Sequence, residues 1–310
     1  DQAECIRHIA DIWSQQNRPV QARHVYSQAL QLLKPDDFPQ RSARYLLRIS
    51  ELYAQMDLFD QAVEYTVQAR NLIDPDLYPG TAADIELQIS KLHLMNGNPY
   101  AAKQTGETAL QYYRSNGGRS DLYRFLLQIS MVQAGFDDMQ SAVNTAYKAL
   151  ESTGPQSVER SQVLETLAWL DRKWQDHRSA VFHLQSAADL DSANSQPLDR
   201  ARHLLQMAYL YREQGLKIKA LETNLIVQQI NDSLRNAEID IKQHLLSSLL
   251  YEKQEGLNAA RSALDRARYY AYPMLQVAAM TEVARHSMGV DDSLAWAMHT
   301  DALNLLKTMP

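Results

Sequence analysis

Small and apolar residues return along this chain at a fixed interval. Alanine stands at Ala22, Ala62, Ala102 and Ala142, each 40 residues after the last, and again seven positions later at Ala29, Ala69, Ala109 and Ala149. Upstream, Ile9, Ile49, Ile89 and Ile129 keep the same step, each followed at once by Ala10, Ser50, Ser90 or Ser130. A period of this length marks a repeat architecture, in which one supersecondary unit cannot bury its apolar face alone. Inside one period, Leu46, Ile49, Ser50 and Tyr53 follow the i, i+3, i+4, i+7 spacing of a helical face. After a break at Met56–Asp57, Phe59, Ala62, Thr66 and Ala69 form a second such face. Each repeat therefore predicts two helices. The small residues let them approach closely, and Trp13, Tyr53, Tyr211 and Tyr251 are placed to fill the wider gaps.

The second half keeps the pattern with small slips. Ala180, Ala220, Ala260 and Ala295 follow Ala142 at steps of 38, 40, 40 and 35. Ala187, Val227, Ala267 and Ala302 hold the second position, and Ala168, Ala208, Ser248 and Val283 the upstream one. Helix breakers separate the units: Pro35-Asp-Asp-Phe38-Pro39 and Pro75-Asp-Leu-Tyr78-Pro79 lie one period apart, then come Asn116-Gly117-Gly118, Gly154-Pro155, Ser192 to Pro197, and Pro273. No connector is long, which predicts one domain over 1–310. Its repeats fall at about 3–40, 41–80, 81–119, 120–158, 159–198, 199–236, 237–273 and 274–308.

Composition narrows the function. Only 10 glycines and 10 prolines in 310 residues favour long helices over an all-β design. A net charge of −6 without a Lys/Arg cluster argues against a nucleic-acid partner. The longest apolar runs are short, as at Leu249–Leu250–Tyr251, so no transmembrane segment is expected. Cys5, the single cysteine, excludes an intrachain disulfide and suits cytoplasm and periplasm alike. The chain opens at Asp1 inside a helical pattern and closes at Pro310 straight after one, as a segment of a longer or processed chain would.

The order of a large residue, a small one, an aromatic, Ala, and Ala seven later resembles the tetratricopeptide repeat. In the first unit it is carried by Ile6, Ile9, Ala10, Trp13, Ala22, Tyr26, Ala29 and Leu30. Two features depart from the family: the period is 40 rather than the usual 34, and the first-helix glycine is Ala or Ser. Long repeats of this kind look like those of bacterial regulatory and signalling proteins, and of kinesin light chains. The resemblance implies an all-α, right-handed superhelix of about eight helix–turn–helix repeats, with the first helix of each lining the concave side. Groove-facing residues would then be Arg44, Leu47 and Glu51; Leu87 and Lys91; and Arg124, Leu127 and Met131. Later units would add Trp169 and Arg172; Arg202, Leu205, Tyr209 and Arg212; and Leu245 and Leu249. The leucines either pack against the adjoining first helix or form an apolar floor rimmed by arginines, and such a floor would suit a protein or peptide segment carrying acidic residues.

Catalytic and metal signals are weak. Gly117-Gly118 lacks the spacing and the following Lys-Ser/Thr of a phosphate loop and reads as a helix stop. No His-Glu-x-x-His run or cysteine pair is present, so no metal or cofactor is expected. His93 and His286 stand at the aromatic packing position and read as interior imidazoles. Cys5 beside His8 lacks a third catalytic group, and acidic pairs such as Asp137–Asp138 and Asp291–Asp292 suit helix starts. The expectation is an interaction scaffold rather than an enzyme. The alternative is a ligand- or peptide-sensing domain beside a kinase, cyclase or DNA-binding output.

Overall fold

The computed structural model describes residues 2–15, 19–33, 37–56, 58–115, 121–270 and 272–308. These contain sixteen α-helices and no strand, and the fold is an all-α solenoid of helical hairpins. The helices group into two compact units, Asp1–Thr153 and Gly154–Pro310. The first unit holds α1 (Gln2–Gln15), α2 (Pro19–Leu32), α3 (Pro39–Gln55), α4 (Phe59–Asn71), α5 (Pro79–Met95), α6 (Pro99–Ser115), α7 (Leu122–Gly135) and α8 (Met139–Glu151). The second holds α9 (Val158–Lys173), α10 (His177–Ala193), α11 (Pro197–Glu213), α12 (Lys217–Leu234), α13 (Ala237–Leu250), α14 (Lys253–Tyr269), α15 (Pro273–Ser287) and α16 (Asp292–Thr308). Odd and even helices pair as hairpins, two helices to each repeat.

The periodic alanines lie where the paired axes come closest. Ala22, Ala62, Ala102, Ala142, Ala180, Ala220 and Ala260 are fully buried on the second helices, as are Ala29, Ala69, Ala109, Ala149, Ala187 and Ala267 one face-turn later. A larger side chain at these points would hold the axes apart and open voids along both helices. Tyr53 fills a wider gap by stacking on Tyr65, with ring centroids 5.2 Å apart. Tyr251 departs from that role. Helix α13 ends at Leu250, Tyr251 continues in extended backbone, and its ring reaches solvent. His286 packs instead over Gly256, where an added Cβ would stand 2.6 Å from the Tyr251 carbonyl oxygen.

Within each unit, first helices also touch the first helices of the next hairpin: α3 meets α5, α5 meets α7, α11 meets α13 and α13 meets α15. Within each unit the first helices thus form one layer, and the second helices pack behind it.

Proline starts the hairpins as much as it separates them. Pro39, Pro79, Pro197 and Pro273 occupy the first helical turn, where the missing N–H costs nothing. The residues before them, such as Phe38 and Tyr78, are held out of the helical region. Of the expected breakers, Pro35–Asp36, Asp57 and Asn116–Gly118 lie outside the described residues.

Turns inside the hairpins share one design. Gly97, Asp137, Gln175 and Gly215 adopt positive φ of 58 to 74°. The next amide then closes the helix end, as from Asn98 N to His93 O (2.8 Å) and Asp176 N to Asp171 O (2.8 Å). Asn98, Asp138 and Asp176 in turn accept the amides of Ala101, Ser141 and Ser179 with their side chains, each at 3.1 Å. In these three turns one residue ends the first helix and the next caps the second, whereas Leu216 after Gly215 supplies no side-chain cap.

The serines at the close-approach position of the first unit are more than small. Ser90 and Ser130 are fully buried and donate to the carbonyls of Ala102 and Ala142, at 2.6 and 2.8 Å. Gln128 reaches back from the following hairpin to Ser90 at 3.0 Å, and Gln88 to Ser50 at 3.4 Å. A buried hydroxyl thus joins two helices of one hairpin and the first helix of the next.

Two consequences are measurable by urea denaturation. An alanine Cβ at Gly215 meets nothing within 4 Å, so Gly215→Ala isolates the left-handed backbone and should cost about 1 kcal/mol, while Gln175→Gly should gain roughly 0.5–1 kcal/mol. Ser90→Ala leaves the buried Gln128 amide without its acceptor and should cost about 1–3 kcal/mol; a neutral result would remove the relay from the fold's support.

Candidate peptide-binding surface

The face of the first helices turned away from the second helices carries a lattice of polar and charged side chains. In the second unit, Ser161, Glu165, Trp169 and Arg172 form one stripe of α9, and Arg202, Gln206, Tyr209 and Glu213 the matching stripe of α11. The stripes are laced together. Gln206 donates to Glu165 at 2.6 Å, and Arg172 pairs with Glu213 at 2.5 Å. Arg202 pairs with Asp199 at 3.2 Å and reaches Glu238 of α13 at 3.5 Å, and the Tyr209 hydroxyl donates to the Lys242 carbonyl at 3.2 Å. Burial pushes the Tyr209 phenol up, which keeps it a neutral donor. Within this lattice Trp169 remains 43% exposed, with the Lys173 ammonium 5.9 Å from its ring. Arg212 is exposed on the same helix as Tyr209.

In the first unit, Arg124 of α7 pairs with Asp84 of α5 at 3.0 Å and with Asp121 at 3.3 Å. Arg48 pairs with Glu51 on α3 at 2.6 Å. Arg44 is exposed, and Lys91, Leu127 and Met131 are half-buried. Burial, reinforced by the positive charge of Arg124, pushes the Lys91 ammonium down.

The leucine stripe is not an open floor. Leu47, Leu87, Leu205 and Leu245 are 8%, 1%, 3% and 6% exposed and belong to the hydrophobic core. Their place on the helix points them between adjacent first helices, which touch and close the space a guest would need. Leu249 is half-buried. What remains accessible at the expected positions is mostly polar, cationic or aromatic, with Leu127, Met131 and Leu249 partly exposed. Arg48, Glu165, Gln206, Glu213 and Glu238 belong to the same faces but are not among the residues expected to face the groove. For Glu165, Gln206 and Glu213 the signal was the repeat itself: Glu165–Gln206 and Arg172–Glu213 are each 41 residues apart, as Asp84 and Arg124 are 40 apart.

A buried charged network anchors this face from behind. Asp191, 1% exposed, accepts from Ser161 at 2.6 Å and lies 2.6 Å from His203 Nδ1, while His203 Nε2 is 3.6 Å from Glu165. A second pair, Asp171 and His183, meets at 2.6 Å between α9 and α10. Serine, histidine and aspartate are the residue types of a nucleophilic triad. Here, however, the serine donates to the carboxylate and not to the imidazole, so the cluster holds a charge and activates no nucleophile. Burial opposes protonation of His203, but hydrogen bonds to Asp191 and Glu165 and the charges of both carboxylates outweigh it and raise its pKa to about 9. The His203 hydrogen bond in turn holds the Glu165 carboxyl below its ordinary range.

No family model matches the chain, and no curated protein matches it in sequence. Solved structures match its fold. A Rap protein complexed with competence and sporulation factor superposes with a TM-score of 0.68 at 12% identity, over 99% of this chain and 86% of that one. The apo form of RapI gives 0.61 at 13% identity, over 86% and 98%. A signal transduction ATPase with numerous domains from Pyrococcus horikoshii, described as having a tetratricopeptide repeat sensor, gives 0.62 at 14% identity, over 99% of this chain. The present chain spans 48% of that protein's length. At these identities the likeness is one of fold.

Because His203 is raised in the folded state above an unfolded value near 6.5, its contribution is complete below that value and disappears as pH rises through about 9. The urea midpoint of the second unit should therefore fall between about pH 6.5 and 9, and His203→Gln should lose that slope; the same slope in wild type and variant would refute a charged His203.

Proposed function

We propose that this chain, which has the tetratricopeptide-repeat fold, is an interaction scaffold that holds a segment of a partner protein against the exposed face of its first helices. The observation that carries this reading is Trp169. A large aromatic side chain left 43% exposed among fixed ion pairs costs apolar hydration and contributes little to the core. Tryptophan and arginine dominate the binding energy of protein interfaces, particularly where surrounding groups exclude water. Arg172 shares the α9 stripe with Trp169, and Arg202, Tyr209 and Arg212 lie along α11, which is tied to α9 by the Gln206–Glu165 and Arg172–Glu213 contacts.

The chemistry of the guest follows from that inventory. An apolar or aromatic residue would cover the indole, and acidic residues on either side would find the arginines, competing with Glu213 and Asp199 for their guanidinium edges. Arg44, Lys91, Arg124, Leu127 and Met131 form the corresponding accessible set in the first unit. Leu47, Leu87, Leu205 and Leu245 act in this reading as packing beneath the surface. The described neighbours are compatible with it, since one was solved with a bound factor and another is described as carrying a sensor.

A photo-crosslinking residue placed at Trp169 should capture the partner, whereas the same residue at Phe182, which is 67% exposed on the second-helix side, should not. With an acidic, aromatic-containing peptide selected from a tiled array, Trp169→Ala should weaken binding by about 2 kcal/mol or more, and Arg202→Ala or Arg212→Ala by less. None of the three should shift the melting temperature by more than a few degrees. Equal capture from both helix faces would reject this surface, as would a large loss of stability in Trp169→Ala.

A further inference from the structure

The first unit contains a polar cavity between α1, α2 and α3, apart from the Trp169 surface. Its volume is about 360 Å³, and Arg7, Asp11 and Ser14 of α1 line it with Arg48 and Glu51 of α3. Tyr26 of α2 and Leu52 of α3 close it from beneath, at 1% and 2% exposure. This size lies at the low end for small-molecule sites, enough for one small compound and too little for a folded segment.

The charges decide what that compound is. Two guanidinium groups and two carboxylates line the space, so their formal charges cancel while remaining spatially separate. Part of the set is already committed. Asp11 is engaged on both oxygens, by Arg7 at 2.5 Å and by the Tyr26 hydroxyl. Burial, aided by that bond, pushes the Tyr26 phenol up and keeps the floor neutral. Arg7 also bonds Glu4 at 2.8 Å. Among the described residues Arg48 is engaged through Nη1, by Glu51 Oε2 at 2.6 Å. Its other guanidinium edge and the second Glu51 oxygen remain for a ligand, one helical turn apart on α3. A lone anion would meet Asp11 and Glu51 as like charges, and a lone cation would meet both arginines. A compound carrying both charges at close spacing avoids either repulsion.

We propose that this cavity binds a small zwitterion of free amino-acid or dipeptide size, with its carboxylate on Arg48 and its ammonium on Glu51. Arg7 and Asp11, tied to each other and to Tyr26, position the wall and supply the surrounding field. The site is independent of the Trp169 surface: it lies in the other unit and shares no residue with it.

Isothermal titration calorimetry of the whole chain tests this with the common free amino acids, their glycyl dipeptides, and N-acetyl and amide derivatives of each as single-charge controls. At least one zwitterion should bind saturably, and its N-acetyl and amide forms at least tenfold more weakly. The free and dipeptide arms identify which size the cavity takes. Arg48→Gln and Glu51→Gln should each weaken binding at least tenfold. Both variants should retain the wild-type circular dichroism and melting curve, because the pair they break is a solvent-exposed one three residues apart on one helix. Absence of saturable binding across the panel would overturn the proposal, and so would equal binding of the single-charge controls or unchanged affinity in both variants.

Discussion

Everything in this fold depends on how closely two helices can approach. Fully buried alanines at a 38- to 40-residue step put the second helix of each hairpin almost against the backbone of the first. Once that distance is fixed, the remaining apolar side chains have defined neighbours. Leucines and isoleucines of the first helix fill the space toward the next hairpin, and aromatic rings take up the slack where the axes diverge. Each hairpin leaves one face unburied until its neighbour arrives, so stability is distributed over interfaces and has no single centre.

The two units bury polar groups by different means. The first uses serine hydroxyls satisfied by alanine carbonyls, with glutamine amides reaching in from the following hairpin, beside an Arg70–Glu86 pair whose carboxyl is buried. Between α9, α10 and α11 the second replaces that relay with two aspartates that each meet a histidine. Neutral buried hydrogen bonds respond little to pH, whereas a protonated imidazole between two carboxylates makes its helices respond to it. The position that is Ser in the early repeats is Ala168 and Ala208 in this region, and the polar function has moved to other residues.

Much of the fold was legible in the sequence because its cause is periodic. Ala22 through Ala149 announce helix pairs, and Pro39 and Pro79 announce where hairpins begin. The candidate surface was less legible. Helical spacing alone cannot tell a side chain that points outward from one that points at the next first helix, and Leu47 and Leu87 lie on the buried side of that boundary. Trp169 and the arginines fell on the accessible side because long polar-tipped or bulky groups do not fit the narrow gap between first helices. The Asp191–His203 pair carried no sequence signal. A twelve-residue separation that spans two helices becomes a contact only after the hairpins have stacked.

The glutamine-to-serine relay also gives the first unit a polarity along its length. Gln128 completes the hydroxyl of the hairpin before it, and Gln88 does the same one step earlier. A hairpin is therefore not a self-sufficient brick. Excising one, or grafting it into another array, transplants a donor together with its demand for a buried acceptor in the preceding unit. Any recombined array that keeps the alanine spacing but loses this order would stack with an amide stranded in its interior.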